Sequence, residues 1–157
     1  SGGYRYLLTA IDEVSKLSCA RLYTTHSSRN AKDFLDRLVF VTNHQLQNLH
    51  SDNGSEFKKE FEDACREMQI PQWYSRIRTP KDNAVLERFN RTIQEEFVEV
   101  SEADPLFPEE FNLALTDWLI EYNFNRPHKA LAYKTPIEYL DMYYKEMLPM
   151  YSSPTKT

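Results

Sequence analysis

The chain has 157 residues, 41% hydrophobic and 13% aromatic, which suits one domain with its own core. No apolar run approaches the ~18 residues of a membrane span, no signal-peptide pattern opens the sequence, and two cysteines 46 positions apart make no disulfide framework. The net charge of −5 has the wrong sign for a free-standing nucleic-acid binder, which is usually basic.

The first elements are strands. Tyr4–Ile11 is rich in aromatic and apolar residues, Asp12 to Lys16 reads as a turn, and Leu17–Tyr23 is a second strand, so the pair predicts a hairpin. Asn30 is the expected N-cap of a helix in which Ala31, Phe34, Leu35, Leu38 and Val41 carry the helical spacing to about Thr42. Leu46–His50 is a short strand leading to Asp52. Phe57, Phe61, Ala64, Cys65 and Met68 predict an amphipathic helix ending before Pro71. Cys19 and Cys65 read as reduced core residues of a cytosolic protein.

Gln72–Ile77 reads as a short strand; its Trp73 could stack on a base, but is expected in the core, the commoner place for a strand tryptophan. Val85, Phe89, Ile93 and Phe97 recur every four residues and predict a helix from about Asn83. A long helix opens at Pro108, with Phe111, Leu115, Trp118, Leu119 and Tyr122 on one face. Arg126-Pro127-His128 either ends that helix or serves DNA or a neighbouring domain. Thr135-Pro136-Ile137-Glu138 is a capping box opening a last helix to about Tyr144. Strands followed by alternating helices predict an α/β sheet flanked by helices.

Charge is uneven along this order. Arg76, Arg78, Lys81, Arg88 and Arg91 face only two acids, Asp82 and Glu87, within positions 76–91. These basic residues are candidates for phosphate contacts. His50 and His128 lack any Cys/His ligand spacing for zinc.

Two stretches carry the chemistry. His50-Ser51-Asp52-Asn53-Gly54-Ser55-Glu56-Phe57 puts a carboxylate after a strand and then a turn, where Gly54 is expected to need a positive φ. Thr79 to Asn90 puts Glu87 early on a helix, about 200° around from Val85 and so away from the core. Singly, Asp52 reads as a turn-former and Glu87 as a solvated glutamate. Together, two carboxylates on rigid elements are the equipment of metal-dependent phosphoryl transfer on nucleic acid.

These motifs resemble those of the DDE integrase and transposase superfamily. The stretch 50–57 looks like its second-aspartate motif and Pro80–Arg91 like its glutamate helix. Asp52 and Glu87 have 34 residues between them, close to the retroviral spacing of 35. Trp118, Tyr122-Asn123, Arg126-Pro127-His128, Leu131 and Thr135-Pro136 are similar to the segment that follows the catalytic core of bacterial insertion-sequence transposases. The likeness runs from Tyr4 to about Tyr144.

The resemblance implies a ribonuclease-H-like mixed sheet flanked by helices. It implies two Mg²⁺ or Mn²⁺ ions, held in part by Asp52 and Glu87, that serve DNA strand cleavage and then strand transfer. The basic residues flanking the glutamate motif, with Asn90, are the candidate DNA contacts, Arg76, Arg78, Lys81, Arg88, Asn90 and Arg91, against the plainer reading of a solvated face. Element ends and target DNA are the implied partners, with a homodimer or higher oligomer, no membrane and no small-molecule substrate. The implied location is the bacterial cytoplasm, at the nucleoid. The expected layout is a core over 1–101, a C-terminal helical segment over 102–150 packed on it, and a tail over 151–157.

The family has three carboxylates, the first on an opening strand. Only two strands precede the helix near Asn30, so that first strand, with its aspartate, is expected to be absent from this chain. Asp12 is the only substitute, and its simpler reading is a hairpin-turn residue bonded to nearby backbone. The alternatives to a transposase or integrase core are a ribonuclease-H-like nuclease and an inactive fragment acting as a DNA-binding or assembly module.

Overall fold

A computed structural model describes residues 4–76 and 80–147 of the chain. Of two short sheets, one lies between two helical layers and the other is covered by helices on one face only. Strand β1 (Tyr6–Ile11) pairs antiparallel with β2 (Ser18–Tyr23), with Tyr6 opposite Tyr23 and Ile11 opposite Ser18. Strand β3 (Leu49–Ser51) pairs in parallel with β4 (Gln72–Tyr74), with His50 opposite Trp73. Among the described strands, β1 bonds only to β2 and β3 only to β4.

The helices follow the chain: α1 (Ser28–Val41), α2 (Glu60–Glu67), α3 (Ala84–Ile93), α4 (Pro108–Asn125) and α5 (Pro136–Met147). Short 3-10 turns at Ser55–Phe57, Pro80–Asn83 and Lys129–Leu131 join them, and a wider helical turn, Gln94–Val98, continues α3.

Strand alternation decides which layer each side chain meets. Leu7 and Ile11 of β1, with Ala20 and Leu22 of β2, pack against Phe89, Ile93, Phe97, Phe111 and Leu115 of the α3–α4 side. Leu8, Ala10, Cys19 and Tyr23 face the other way, toward Phe34 and Leu38 of α1. Leu49 of β3 joins the same α1 layer, beside Phe61, Ala64 and Cys65 of α2. Both strand pairs therefore rest on one α1–α2 layer, although they are not bonded to each other.

Side chains finish the work at element ends. Ser27, not Asn30, caps α1: its Oγ accepts from the Asn30 backbone N–H. Asn30 lies inside the first turn and uses its amide to bond Thr25 instead. The expected helix from Phe57 is broken at Lys59, whose φ of 48° forces a fresh start, so only Phe61, Ala64 and Cys65 are buried and Met68 is exposed past the end. The capping box holds: Thr135 Oγ1 accepts from the Glu138 N–H at 3.2 Å. The strands are shorter than expected at their ends, where pairing partners run out. No helix among the described residues is long and apolar enough to cross a membrane. Ile77, Arg78, Thr79 and the tail at 151–157 lie outside the described residues.

Candidate active site

Strand β3 delivers Asp52 one residue past its end. Its Oδ1 accepts from the Gly54 N–H at 2.8 Å, and the chain then turns into the 3-10 segment through a Phe57 N–H to Gly54 carbonyl bond. Gly54 does not have the expected positive φ: φ is −67° and ψ 150°, open to any residue. What the glycine supplies is space. A Cβ there would lie 2.5 Å from Glu56 Oε2 and 2.8 Å from Asp52 Oδ1. The two carboxylates close over the glycine from opposite ends of the turn.

Glu56 is the residue that sequence reasoning missed. Its side chain is largely buried, and its Oε2 lies 2.8 Å from His26 Nε2 without hydrogen-bond alignment. The His26 ring in turn stacks on Tyr6, with centroids 4.9 Å apart. The only signal for Glu56 was its place inside the aspartate motif. His26 had none, because it sits in a loop 30 positions away.

Glu87 stands in the first turn of α3 and is exposed, while Phe89, Ile93 and Phe97 are buried. The start of that helix is tethered to the strands. Asp82 accepts the Arg76 backbone N–H at 2.8 Å and takes its guanidinium in a fork, Nε at 3.2 Å and Nη2 at 2.9 Å. The Arg76 side-chain bonds, then its N–H, hold the Asp82 carboxyl down at about 2. The next residue back, Ser75, donates its N–H to Ser51 O at 2.8 Å, and its hydroxyl lies 3.0 Å from His50 Nε2. One turn past Glu87, Asn90 accepts a hydrogen bond from Thr9 of β1. The segments bearing Asp52 and Glu87 thus both leave the C-terminal end of the parallel pair, where α/β sheets commonly place ligands.

The other candidates sort clearly. Asp12 is a turn residue: its Oδ2 accepts from the Ser15 N–H and hydroxyl. Arg76 spends its guanidinium on Asp82, and Asn90 is committed to Thr9. Lys81, Arg88 and Arg91 are exposed. Arg78 falls outside the described residues. Trp73 is not in the core: it is 64% exposed, because Gln72 and Tyr74 are the β4 residues that turn toward α2. Arg126 closes the long helix by pairing with Glu96 and lying 5.0 Å over the Tyr122 ring. His128 packs edge-on against Tyr122, and burial, then the Arg126 and Lys16 charges, lower its pKa.

None of the ion pairs among the described residues includes Asp52 or Glu87. Exposed carboxylates on rigid elements, without a protein countercharge, suit a hard divalent cation. No group of three metal-ligating side chains gathers among the described residues.

The integrase core domain family model matches residues 1–80, and a second model of the same description matches residues 68–136. The chain belongs to the integrase core domain family. An integrase-named ORF3 protein of Spiroplasma virus SpV1-C74 is 27% identical over 153 residues, covering 87% of this chain and 42% of its own. The transposase InsD for insertion element IS2D of Escherichia coli (strain K12) is 30% identical over 91 residues, 57% of this chain and 30% of its own. The chain thus spans less than half the length of these curated relatives. The catalytic core domain of BIV integrase superposes with a TM-score of 0.67 at 22% identity, covering 90% of this chain and 89% of that one. The fold is that of a ribonuclease-H-like integrase core.

Proposed function

We propose that this chain is the catalytic core of a bacterial DNA transposase or integrase, with Asp52 and Glu87 as two of its metal-binding carboxylates. What supports the reading is their shared state: both are exposed, neither enters an ion pair among the described residues, and the segments that carry them leave the C-terminal end of the β3–β4 pair. Divalent ions held there, Mg²⁺ or Mn²⁺, would supply activation of the attacking oxygen and charge stabilisation at the leaving oxygen in an in-line phosphoryl transfer. The protein's part is to fix the ligands. The Asp52–Gly54 turn orients one carboxylate, and the Asp82–Arg76 clip with the Asn90–Thr9 bond holds the helix that carries the other. Lys81, Arg88 and Arg91 are free to meet phosphates, with Arg78 added from the sequence.

The family scheme calls for a third carboxylate, and Asp12 is spent on its turn. Unpaired edges on β1 and β3 leave room for a strand bearing it. The lack of a ligand trio among the described residues favours a second reading, a DNA-binding or assembly module without activity of its own. A homo-oligomer agrees with α4, whose outward Leu113, Ile120 and Phe124 form an exposed apolar stripe opposite its buried face.

Titration calorimetry with Mn²⁺ tests the site in this chain: binding that disappears in both Asp52→Asn and Glu87→Gln is expected. In a longer chain carrying an aspartate-bearing strand ahead of Tyr4, the same substitutions abolish cleavage and joining to a DNA 3′-hydroxyl while DNA binding persists. Joining that survives Asp52→Asn would reject the assignment.

A further inference from the structure

We propose that Trp73 is a stacking site for an unpaired nucleobase of the DNA; this rests on the functional reading above and adds a binding residue to it. Four observations place it. First, the indole is 64% exposed although it sits on a hydrogen-bonded strand. Its neighbours Gln72 and Tyr74 are drawn to the other side, where Tyr74 Oη donates to Glu62 Oε1 at 2.9 Å and Lys58 Nζ covers the Tyr74 ring at 3.8 Å. The indole is therefore fixed on the opposite face.

Second, that face is the face of the proposed site. His50 lies opposite Trp73 in the parallel register, and Ser75, two residues on, meets the His50 ring at 3.0 Å. Carried one residue past the end of β3, the same alternation would turn Asp52 to the side of His50. The indole thus belongs to the neighbouring strand, two residues back in register from the carboxylate.

Third, the α3–α4 layer leaves this face open, since its apolar residues pack over Leu7, Ile11, Ala20 and Leu22 of β1 and β2.

Fourth, the surroundings suit DNA better than protein. A protein interface needs an apolar core within about 800 Å² per partner. Trp73 has polar neighbours instead, His50 and Ser75. The adjoining segment carries exposed Lys81, Arg88 and Arg91 against exposed Glu87, while Asp82 is already paired with Arg76. Positive charge beside one fixed aromatic face matches a phosphate backbone with a base laid on the ring. A base inside a duplex has no free π-face, so the ligand is an unpaired base, as at a frayed or tailed end.

The test uses the whole chain in metal-free buffer with three fluorescent probes: a blunt duplex, the same duplex with a three-nucleotide single-stranded tail, and the single strand. The tailed duplex should bind tighter than the blunt one, on the order of tenfold. It should also quench tryptophan emission. Trp73→Ala should erase the preference and leave blunt-duplex binding unchanged. Trp73→Phe should keep most of the preference while losing the quenching, which leaves Trp118 as the only emitter. A tail preference that survives Trp73→Ala, or no preference in the parent while duplex still binds, overturns this site alone. A change in sedimentation on Trp73→Ala would make the indole a self-association contact and also overturn it. A parent chain that binds no DNA in any form would reject the functional reading and this site with it.

Discussion

Asn123 hydrogen-bonds both backbone groups of Ser18: its Oδ1 accepts the Ser18 N–H and its Nδ2 donates to the Ser18 carbonyl, each at 2.9 Å. Asn112 does the same to Leu22, at 2.8 and 3.1 Å. Strand β2 pairs with β1 on one side only, so its other edge would present unpaired donors and acceptors. Helix α4 crosses that edge, and two buried side-chain amides stand in for a neighbouring strand. The asparagine of the Tyr122-Asn123 motif is thereby a structural residue of the sheet edge.

Removing either amide leaves a buried N–H and C=O without partners. Asn112→Ala and Asn123→Ala should each lower stability by about 1–3 kcal/mol in urea unfolding. Asn125→Ala, at the exposed end of the same helix, should stay within about 0.5 kcal/mol of the parent. Equal, small effects at all three would show that the edge needs no cover.

Gly54→Ala separates space from backbone conformation. The φ of −67° suits alanine, so stability should change by less than about 1 kcal/mol. The new Cβ meets the ends of two flexible side chains and must push the Glu56 and Asp52 carboxylates aside. Mn²⁺ affinity should fall roughly tenfold or more, as for displaced ligand supports elsewhere. Unchanged affinity by calorimetry would argue that Asp52 is not a ligand.

The Asp82–Arg76 clip has a definite pH window. Arg76 depresses the folded-state Asp82 pKa to about 2, below its ordinary 3.8. Its contribution is therefore complete above about pH 4 and disappears as pH falls through about 2. Against Asp82→Asn, the parent should be the more stable protein at pH 6, and the gap should close between pH 4 and 2. A gap that persists at pH 2 would exclude the clip as its source.

Burial pushes both thiols, Cys19 and Cys65, up to about 11, with the Glu62 charge adding to Cys65. Only about one thiol in a thousand is then thiolate at pH 8, and the thiolate is the nucleophile. Iodoacetamide should label the native chain far more slowly than the chain in urea. Fast native labelling at either cysteine, read by peptide mass, would contradict its raised pKa.

What the sequence determined is what neighbouring residues decide among themselves. The capping box at Thr135 and Glu138 is closed by atoms three positions apart, so its pattern and its geometry coincide. The Asp12 turn is likewise local. The four-residue repeat of Phe89, Ile93 and Phe97 identifies a buried face because helical periodicity is a property of the chain itself. Motif and spacing are likewise what join Asp52 and Glu87 in the proposed site.

Tertiary structure decided the rest. Helix α4 is apolar on several sides, so its pattern could not say which face the sheet would take, nor that Asn112 and Asn123 would point into it. Trp73 reads as core on a strand, yet it is exposed because α3 and α4 pack over the other strand pair. Gly54 looks like a φ requirement, while the true constraint is a pair of carboxylates meeting over it. His26, in another loop, could be joined to Glu56 only by the fold. Exposure, edge cover and charge partners depend on which distant segment arrives, and hydrophobic burial, being non-directional, does not write that choice into any one stretch of sequence.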